Sequence, residues 1–539
     1  MAGLYFQATR SAGIDAGFPL DDSWIHAQYS RTLVEGRPFE YVPGEKSIGT
    51  TSVLYDLVWA AATLVSGEYV YTAYALNIIF TIALAVLLVH ILLRYRVPPL
   101  VAGAGAALIV SSHPFPWSML SGMETALAAF LTVAAVWAHV TWGWERGWRP
   151  LVAPALMALA AMTRPENLVL FPLAEVDRFI MWRWRQPHLP HPVKRFFMRA
   201  GAFLLVLAPY IALNFSIHGG PVPNTYEAKV GRLGLRSAVQ DEGLHAFGAH
   251  LTKAWEVTVS AVQYVYEDNA LLLIFVVAGL AVTFIPRWRT DEDRPRSLLA
   301  LLTFVGGAAA TGLVTMGMFF PGQSQRYLIQ WIPLILIFGV VGLHAFARLL
   351  ARLQPAFQRS IYVGAVLVFI AADIVVLAVQ YPGQVDHYTT SVKNINRMQV
   401  ALGQWVNENT PPDAVIATND IGAIAFFGDR EIVDTIGLID PEVVRRKHRP
   451  DATEAMLDYL RQRGVTHALL FPTWHPDLIL NRHFYPIKRV VLQDNVICGD
   501  DRMLVMKVNW NQPPKDYEAP AWAAQERKQC RIWAELNRF

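Results

Sequence analysis

Phe18-Pro-Leu-Asp21-Asp22-Ser-Trp-Ile-His26 stands ahead of a long series of apolar segments. How two adjacent carboxylates survive beside a bilayer governs the reading of the rest. Adjacent Asp side chains repel, so the pair is stable when solvated, bound to a cation or matched by basic groups, and each of these supports acid/base chemistry at a membrane surface. The plain alternative is that Asp21 N-caps the helix predicted over Ser23–Val34, a common place for Asp. Which other residues share the membrane face with the pair decides between the two.

Of the 539 residues, 54% are hydrophobic and only 17% charged, against about a quarter charged in a soluble protein, so the balance is that of a membrane protein with a polar domain attached. A formal net charge of +3 argues against nucleic acid as a partner. Cys498 and Cys530 lack metal-ligand spacing, and an oxidising compartment would allow them to pair.

Apolar segments run near 71–93, 99–112, 123–142, 151–162, 168–181, 200–217, 271–286, 298–319, 328–346 and 361–380. A bilayer crossing needs about 20 residues, so several of these are short. The stretch 51–65 is helical but too polar on one side to span, which suits the interface. Arg94 and Arg96; Arg146 and Arg149; Arg183, Arg185, Lys194, Arg195 and Arg199; Arg287, Arg289, Arg294 and Arg296; and Arg348, Arg352 and Arg359 occupy alternate loops. The positive-inside rule makes those loops cytoplasmic. The remaining loops then face outward. They carry Asp21, Asp22 and His26, then Glu124, Arg164 with Glu166, Asn224 with Tyr226 and Lys229, Arg326, and everything after Gln380. A translocated N-terminal stretch without a leading apolar helix predicts one further helix upstream in the natural protein.

After Gln380 the pattern alternates helix with strand: a helix at 398–409, strands at 414–418, 431–436, 467–471, 488–493 and 502–508, and a helix at 451–463. Such alternation predicts a small α/β domain with partly parallel strands. The expected organisation is an outer segment over 1–70, a membrane domain over 71–380, an extracytoplasmic α/β domain over 381–510 and a polar tail over 511–539.

On an outer face the sugar donor to expect is a lipid phosphate rather than a nucleotide. Transfer from it needs a base for the acceptor hydroxyl and charge compensation for the departing phosphate. Asp21 or Asp22 supplies the base, with Glu124 as a second catalytic or metal-binding carboxylate. Lys229 and Arg326 suit the phosphate, with Arg164 as a third cation. His26, Glu166, Asn224, Tyr226 and Asp420 complete the candidate substrate contacts. A divalent cation, Mg or Mn, held by Asp21 and Asp22 is an open option. Each residue has a structural alternative. Lys229 and Arg326 can snorkel to the interface, Arg164-Pro165-Glu166 can be a local ion pair opening a helix, Glu124 can complement a helix start, and Asp420 can serve a turn.

In their order, Leu20-Asp21-Asp22-Ser-Trp-Ile, Pro43-Gly-Glu-Lys-Ser-Ile-Gly-Thr-Thr-Ser, Ser121-Gly-Met-Glu124-Thr, Thr163-Arg164-Pro-Glu166, Pro223-Asn224-Thr-Tyr226-Glu-Ala-Lys229 and Asn419-Asp420-Ile-Gly422 resemble bacterial glycosyltransferases of the GT-C fold. Within it, the set looks similar to the actinobacterial arabinofuranosyltransferase branch that uses decaprenyl-phosphate arabinose. The resemblance implies a multi-spanning enzyme of the bacterial plasma membrane, with its site and C-terminal domain outside. It implies inverting transfer from a polyprenyl-phosphate sugar to a glycan, lipid or protein hydroxyl, with the first-loop acid as base or metal contact. A transporter of a lipid-linked sugar or anion would place its polar groups near the midplane and show repeats, neither of which the sequence has. A non-catalytic glycan sensor would not need so many helices.

Overall fold

The computed structural model describes residues 2–185, 192–221, 223–230, 244–284, 297–315, 323–447, 449–511 and 517–536. Among them, six helices are long and apolar enough to cross a membrane: Val70–Arg94, Thr125–Trp142, Arg195–His218, Gly248–Phe284, Ile332–Arg352 and a helical rod over Pro355–Asn409. Shorter apolar helices over Val53–Ser66, Pro99–Ser111, Arg149–Ala161 and Leu299–Val314 pack among them. The expected apolar segment beginning at Leu271 belongs to a helix that starts at Leu244 and kinks at Asn269. Small residues let the bundle close. A Cβ on Gly279 would stand 1.9 Å from the Phe338 carbonyl oxygen, so the Leu244–Phe284 and Ile332–Arg352 helices touch backbone to backbone.

Two of the basic loops meet at one end of the bundle. Arg195 donates to the Glu145 carbonyl at 2.8 Å, Arg178 to that of Gly143, and Arg199 pairs with Glu175. Arg287, Arg289, Arg294 and Arg296 lie outside the described residues, as do Pro321 and Gly322 of the loop before Arg326.

The change in composition at Gln380 does not break the chain's geometry. The Gln358–Ile395 helix carries Pro382 inside it and runs on to Asn409. At 1.5 Å per residue the whole rod is about 80 Å long, far more than the roughly 30 Å of hydrocarbon, so its C-terminal part stands outside. There it supports a mixed sheet. A two-stranded ribbon, β1 (Glu40–Val42) and β2 (Glu45–Lys46), precedes it in the chain. The sheet itself comprises β3 (Val415–Thr418), β4 (Glu431–Asp434), β5 (His467–Leu470), β6 (Phe484–Val491) and β7 (Arg502–Val508) in the order β4-β3-β5-β7-β6. β3 is parallel to β4 and β5, while β7 is antiparallel to β5 and β6. The strand expected at 488–493 begins four residues earlier, at Phe484, because Phe484 is fully buried opposite Val508.

The stretch after Asn509, expected to lie open, holds an Ala523–Leu536 helix that buries Cys530 and Glu526. Glu526 accepts from both Arg489 and Arg502 at 2.8 Å, which satisfies the buried carboxylate. Cys498 and Cys530 are free thiols in separate apolar clusters.

Candidate active site

The Asp21–Val34 helix starts at the acidic pair itself, and neither side chain caps it. Asp21 instead caps a neighbour from the α/β region. Its Oδ2 and Oδ1 accept the amide N–H groups of Gly422 and Ala423, each at 2.8 Å. Residue 422 must be glycine for this approach, because a Cβ there would meet the Asp21 carbonyl oxygen at 2.1 Å. The contact fastens the first helix to the turn after β3, assisted by Tyr41 donating to the Ile421 carbonyl at 2.8 Å. Capping is thus the right chemistry for Asp21, applied to a helix about 400 residues away in the chain.

Asp22 turns the other way. Its Oδ2 accepts from Arg326 Nη1 at 2.8 Å and lies 4.0 Å from Lys229 Nζ, and the side chain stays one-third open. Burial pushes the Asp22 carboxyl up, but Arg326 and Lys229 outweigh it and hold the group well below the carboxylate range. The two cations that the sequence scatters over separate loops therefore meet on one carboxylate. Lys229 is placed by the Asn224–Val230 helix, whose first turn is strapped twice. Asn224 Nδ2 donates to the Gly437 carbonyl at 2.5 Å, and Thr225 Oγ1 to that of Gly49 at 2.6 Å. Arg326 donates to Tyr327 Oη at 2.8 Å, and both Arg326 and Arg164 lie against the Tyr327 ring.

Behind this cluster runs a buried polar chain. His26 Nδ1 is 2.7 Å from Asp56 Oδ1 and its Nε2 is 3.2 Å from Glu124 Oε2. Arg164 reaches Glu124 through Nη1 and Glu166 through Nε, both at 2.7 Å, and Gln330 donates to Glu166 at 3.1 Å. Burial lowers the His26 pKa, yet Asp56 and Glu124 outweigh it and raise it to about 10, so the imidazole is charged at neutral pH. Burial likewise pushes Glu124 up, while Arg164 and His26 bring it down to about 2. The local Arg164–Glu166 ion pair expected from sequence exists, extended by Glu124. Both ring nitrogens of His26 are engaged within this chain, as are the Glu166 and Asn224 side chains in the bonds described. Asp56 and Gln330 were not singled out from sequence. A carboxylate inside the apolar Val53–Ser66 helix was the available signal for Asp56.

Two cavities meet at the Asp22 cluster. The larger, of about 290 Å³, lies between the membrane helices and the α/β region and is lined by Asp21, Asp22, Lys229, Arg326, Gln399 and Asp420 among others. The smaller, of about 80 Å³, is walled by Thr51, Glu124, Arg164, Glu166 and Tyr226 and shares Asp22, Lys229, Arg326 and Tyr327 with the first. Asp420 accepts from Gln399 Nε2 at 2.7 Å and from Asn419 Nδ2 at 3.2 Å. Burial raises its carboxyl to about 6. Asp21 is pushed up as well, by burial and by Asp420. The two amides on Asp21 favour its anion but do not offset that push, so both carboxyls on this wall stand above the ordinary carboxylate range. Asp434 serves its own turn, accepting from Ile436 and Ile439 at 2.8 and 3.0 Å.

Among the described residues, no group of three or more His, Cys, Asp or Glu side chains is placed to hold a metal ion. Asp21 and Asp22 diverge, one toward backbone amides and the other toward a guanidinium, so a cation shared between them would have to displace those donors.

Residues 393–527 match a family described as a domain of unknown function, DUF8728. No curated protein matches the chain. Over the whole fold the chain is similar to ArnT from Cupriavidus metallidurans bound to undecaprenyl phosphate, at 13% identity and a TM-score of 0.50, covering 92% of this chain and 95% of that one. An Archaeoglobus fulgidus oligosaccharyltransferase in complex with zinc and sulfate (13% identity, 92% of this chain and 70% of that one) gives a TM-score of 0.47. The apo form of the same ArnT (13%, 90% and 92%) gives 0.43. The architecture is thus that of a multi-pass membrane protein with a GT-C-like fold and a C-terminal mixed α/β region.

Proposed function

We propose that this protein is a glycosyltransferase that moves a sugar from a polyprenyl phosphate to an acceptor hydroxyl at the outer face of a bacterial plasma membrane. The observation that carries the reading is the Asp22 carboxylate, held by Arg326 and Lys229 where two cavities join. A phosphodiester-linked sugar needs a base and a cationic phosphate site within one sugar's length of each other, and this cluster supplies both. The undecaprenyl phosphate bound to the similarly folded ArnT supports a donor of that class.

In the reaction, Asp22 takes the proton of the acceptor hydroxyl as its oxygen attacks the anomeric carbon. The anomeric carbon–oxygen bond to phosphate breaks on the opposite face, and the lipid phosphate leaves with that electron pair. Arg326 and Lys229 receive the developing charge, with Arg164 behind them across the Tyr327 ring. One displacement inverts the anomeric centre. Asp21 positions rather than reacts, since both its oxygens are committed to Gly422 and Ala423. Glu124, His26, Asp56 and Glu166 hold the wall of the smaller cavity, while Tyr226 and Asp420 line the spaces where substrate would lie. The pentose of decaprenyl-phosphate arabinose, which the sequence resemblance implies, is the first donor to try.

The test is transfer by membranes containing the full chain, given a panel of radiolabelled polyprenyl-phosphate sugars, compared with Asp22→Asn. Labelled product that vanishes in the variant identifies reaction and donor together. Consumption of no donor by folded, lipid-binding protein would overturn the reading.

A further inference from the structure

The acceptor is left open by the transfer reading: glycan, lipid and protein hydroxyls all satisfy the chemistry. The wall of the larger cavity contributed by the α/β region narrows it. Trp474 lies on that wall with 42% of its surface exposed, although a tryptophan facing water with no partner to cover it wastes a large apolar area. The ring is rigidly backed. Phe471 meets it edge-on at 5.3 Å between centroids, and a methyl at Gly499 would come within 2.5 Å of the indole. Its exposed face is therefore presented, not left over from loose packing.

Hydrogen-bonding groups share the same cavity. Asp420 is fixed by Gln399 and Asn419, and Asn419 is itself fixed by accepting the Phe471 amide at 2.8 Å. Gln323 also lines the space, and its buried side-chain oxygen has no hydrogen-bond partner among the described residues. A pre-set flat aromatic beside a carboxylate and amides is the combination that suits a pyranose or furanose ring, which offers an apolar C–H face and a rim of hydroxyls. Leu20, Ile25, Ile421 and Ile497 also line the cavity and would suit an acyl chain, but such a chain would leave Asp420, Gln399 and Gln323 facing it with no hydrogen bond to it. A peptide would need backbone donors and acceptors in a row, and the wall presents side chains instead.

We infer that the larger cavity binds a glycan acceptor, with a sugar ring stacked on Trp474 and its hydroxyls held by Asp420, Gln399 and Gln323. This rests on the transferase reading for the word acceptor, but the saccharide site itself does not depend on it.

The experiment is direct binding to the full-length protein in nanodiscs, without donor. The probes are neutral manno-, galacto- and arabino-oligosaccharides, a serine-rich peptide and phosphatidylglycerol, followed by saturation-transfer NMR and by Trp fluorescence. Saturable binding of at least one oligosaccharide is expected, with neither the peptide nor the lipid competing. Trp474→Ala should weaken it about five- to tenfold, as loss of one aromatic contact implies, and Trp474→Phe should restore most of it. Asp420→Asn, which is isosteric, gives an independent arm and should weaken it as well. Unchanged binding in Trp474→Ala, competition by peptide or lipid, or no saccharide binding at all overturns the glycan site, whatever the transfer assay gives. Saccharide binding that responds to Trp474 while no donor is ever consumed keeps the site and overturns only the transferase reading.

Discussion

Replacing each aspartate of the acidic pair by asparagine separates their roles. Asp21 accepts two backbone amides, one on each oxygen, at 2.8 Å. In Asp21→Asn the side-chain amide would keep one acceptor and turn its NH2 group toward the second backbone N–H, so one charge-assisted bond is lost and two donors face each other. Hydrogen bonds to charged groups are worth about 1.5–3 kcal/mol, and a stranded buried donor adds about 1 kcal/mol or more. A loss of about 2–4 kcal/mol in docking the α/β region to the membrane helices follows, which for a chain of this size lowers the melting temperature by several degrees. Asp22→Asn instead removes a carboxylate that is one-third open and pairs with two cations. Its melting temperature should fall as well, because the buried Arg326 guanidinium loses its anion, but transfer falls by about 10²–10⁴-fold, the usual worth of a general base and far more than that loss of stability explains. Differential scanning fluorimetry in detergent and initial transfer rates read the two quantities. If Asp21→Asn melts like the parent yet transfers nothing, Asp21 acts on substrate and the assignment of base and latch must be reversed.

Gly422→Ala should reproduce the Asp21→Asn instability without touching a titratable group, because its Cβ would stand 2.1 Å from the Asp21 carbonyl oxygen; limited proteolysis between the rod and β3 would register the loosened docking. Lys229→Ala should raise the donor KM about tenfold or more and leave the acceptor KM alone, and an unchanged donor KM would remove Lys229 from the phosphate site. Burial lowers the pKa of His26 but Asp56 and Glu124 raise it to about 10, so the stability this ion pair contributes is complete below the ordinary histidine value of about 6.5 and is lost as pH rises through 10. The melting temperature should therefore decline across that window, and Asp56→Asn should shift the decline to lower pH. Chelation with EDTA should leave the transfer rate unchanged, since Asp21 and Asp22 are already matched by amides and cations; a rate restored only by Mg or Mn would refute that.

Much of this was legible in the sequence because it rests on local pattern. Apolar length marks the bundle, and period and turn residues mark the strands. The strands at 415–418 and 502–508 lie within a residue of expectation. Charge placement also indicated that Asp21, Asp22, Glu124, Arg164, Lys229 and Arg326 share one face. What the sequence could not say was which cation meets which anion. Asp21 and Gly422 are 401 positions apart, and Arg326 and Asp22 are 304 apart. No periodicity encodes such a pairing. The same limit hid the division between latch and base, for two neighbouring Asp residues on one helix start look alike until their partners are known. Asp56 was missed for a different reason. One carboxylate in an apolar helix reads as an interfacial defect unless the histidine that neutralises it is in view.

The charge arrangement also resolves a tension in the proposed chemistry. A carboxylate held far below its ordinary pKa is a poor proton acceptor, and Asp22 is held so by Arg326 and Lys229. Those cations are the ones a donor phosphate would draw to itself. When the phosphate binds, Asp22 loses part of its stabilisation while remaining beside Asp420 and Asp21 on the larger cavity. Its basicity then rises at the moment the acceptor hydroxyl needs a base. Without donor, the pairing keeps the carboxylate neutralised and water at the site unactivated. In the buried chain of Asp56, His26, Glu124, Arg164 and Glu166 every carboxylate already touches His26 or Arg164, with Gln330 donating to Glu166 as well, so it does not need to exchange partners. It can stay fixed while the Asp22 cluster rearranges, which is the division of labour a site needs when one set of groups must hold position and another must move charge.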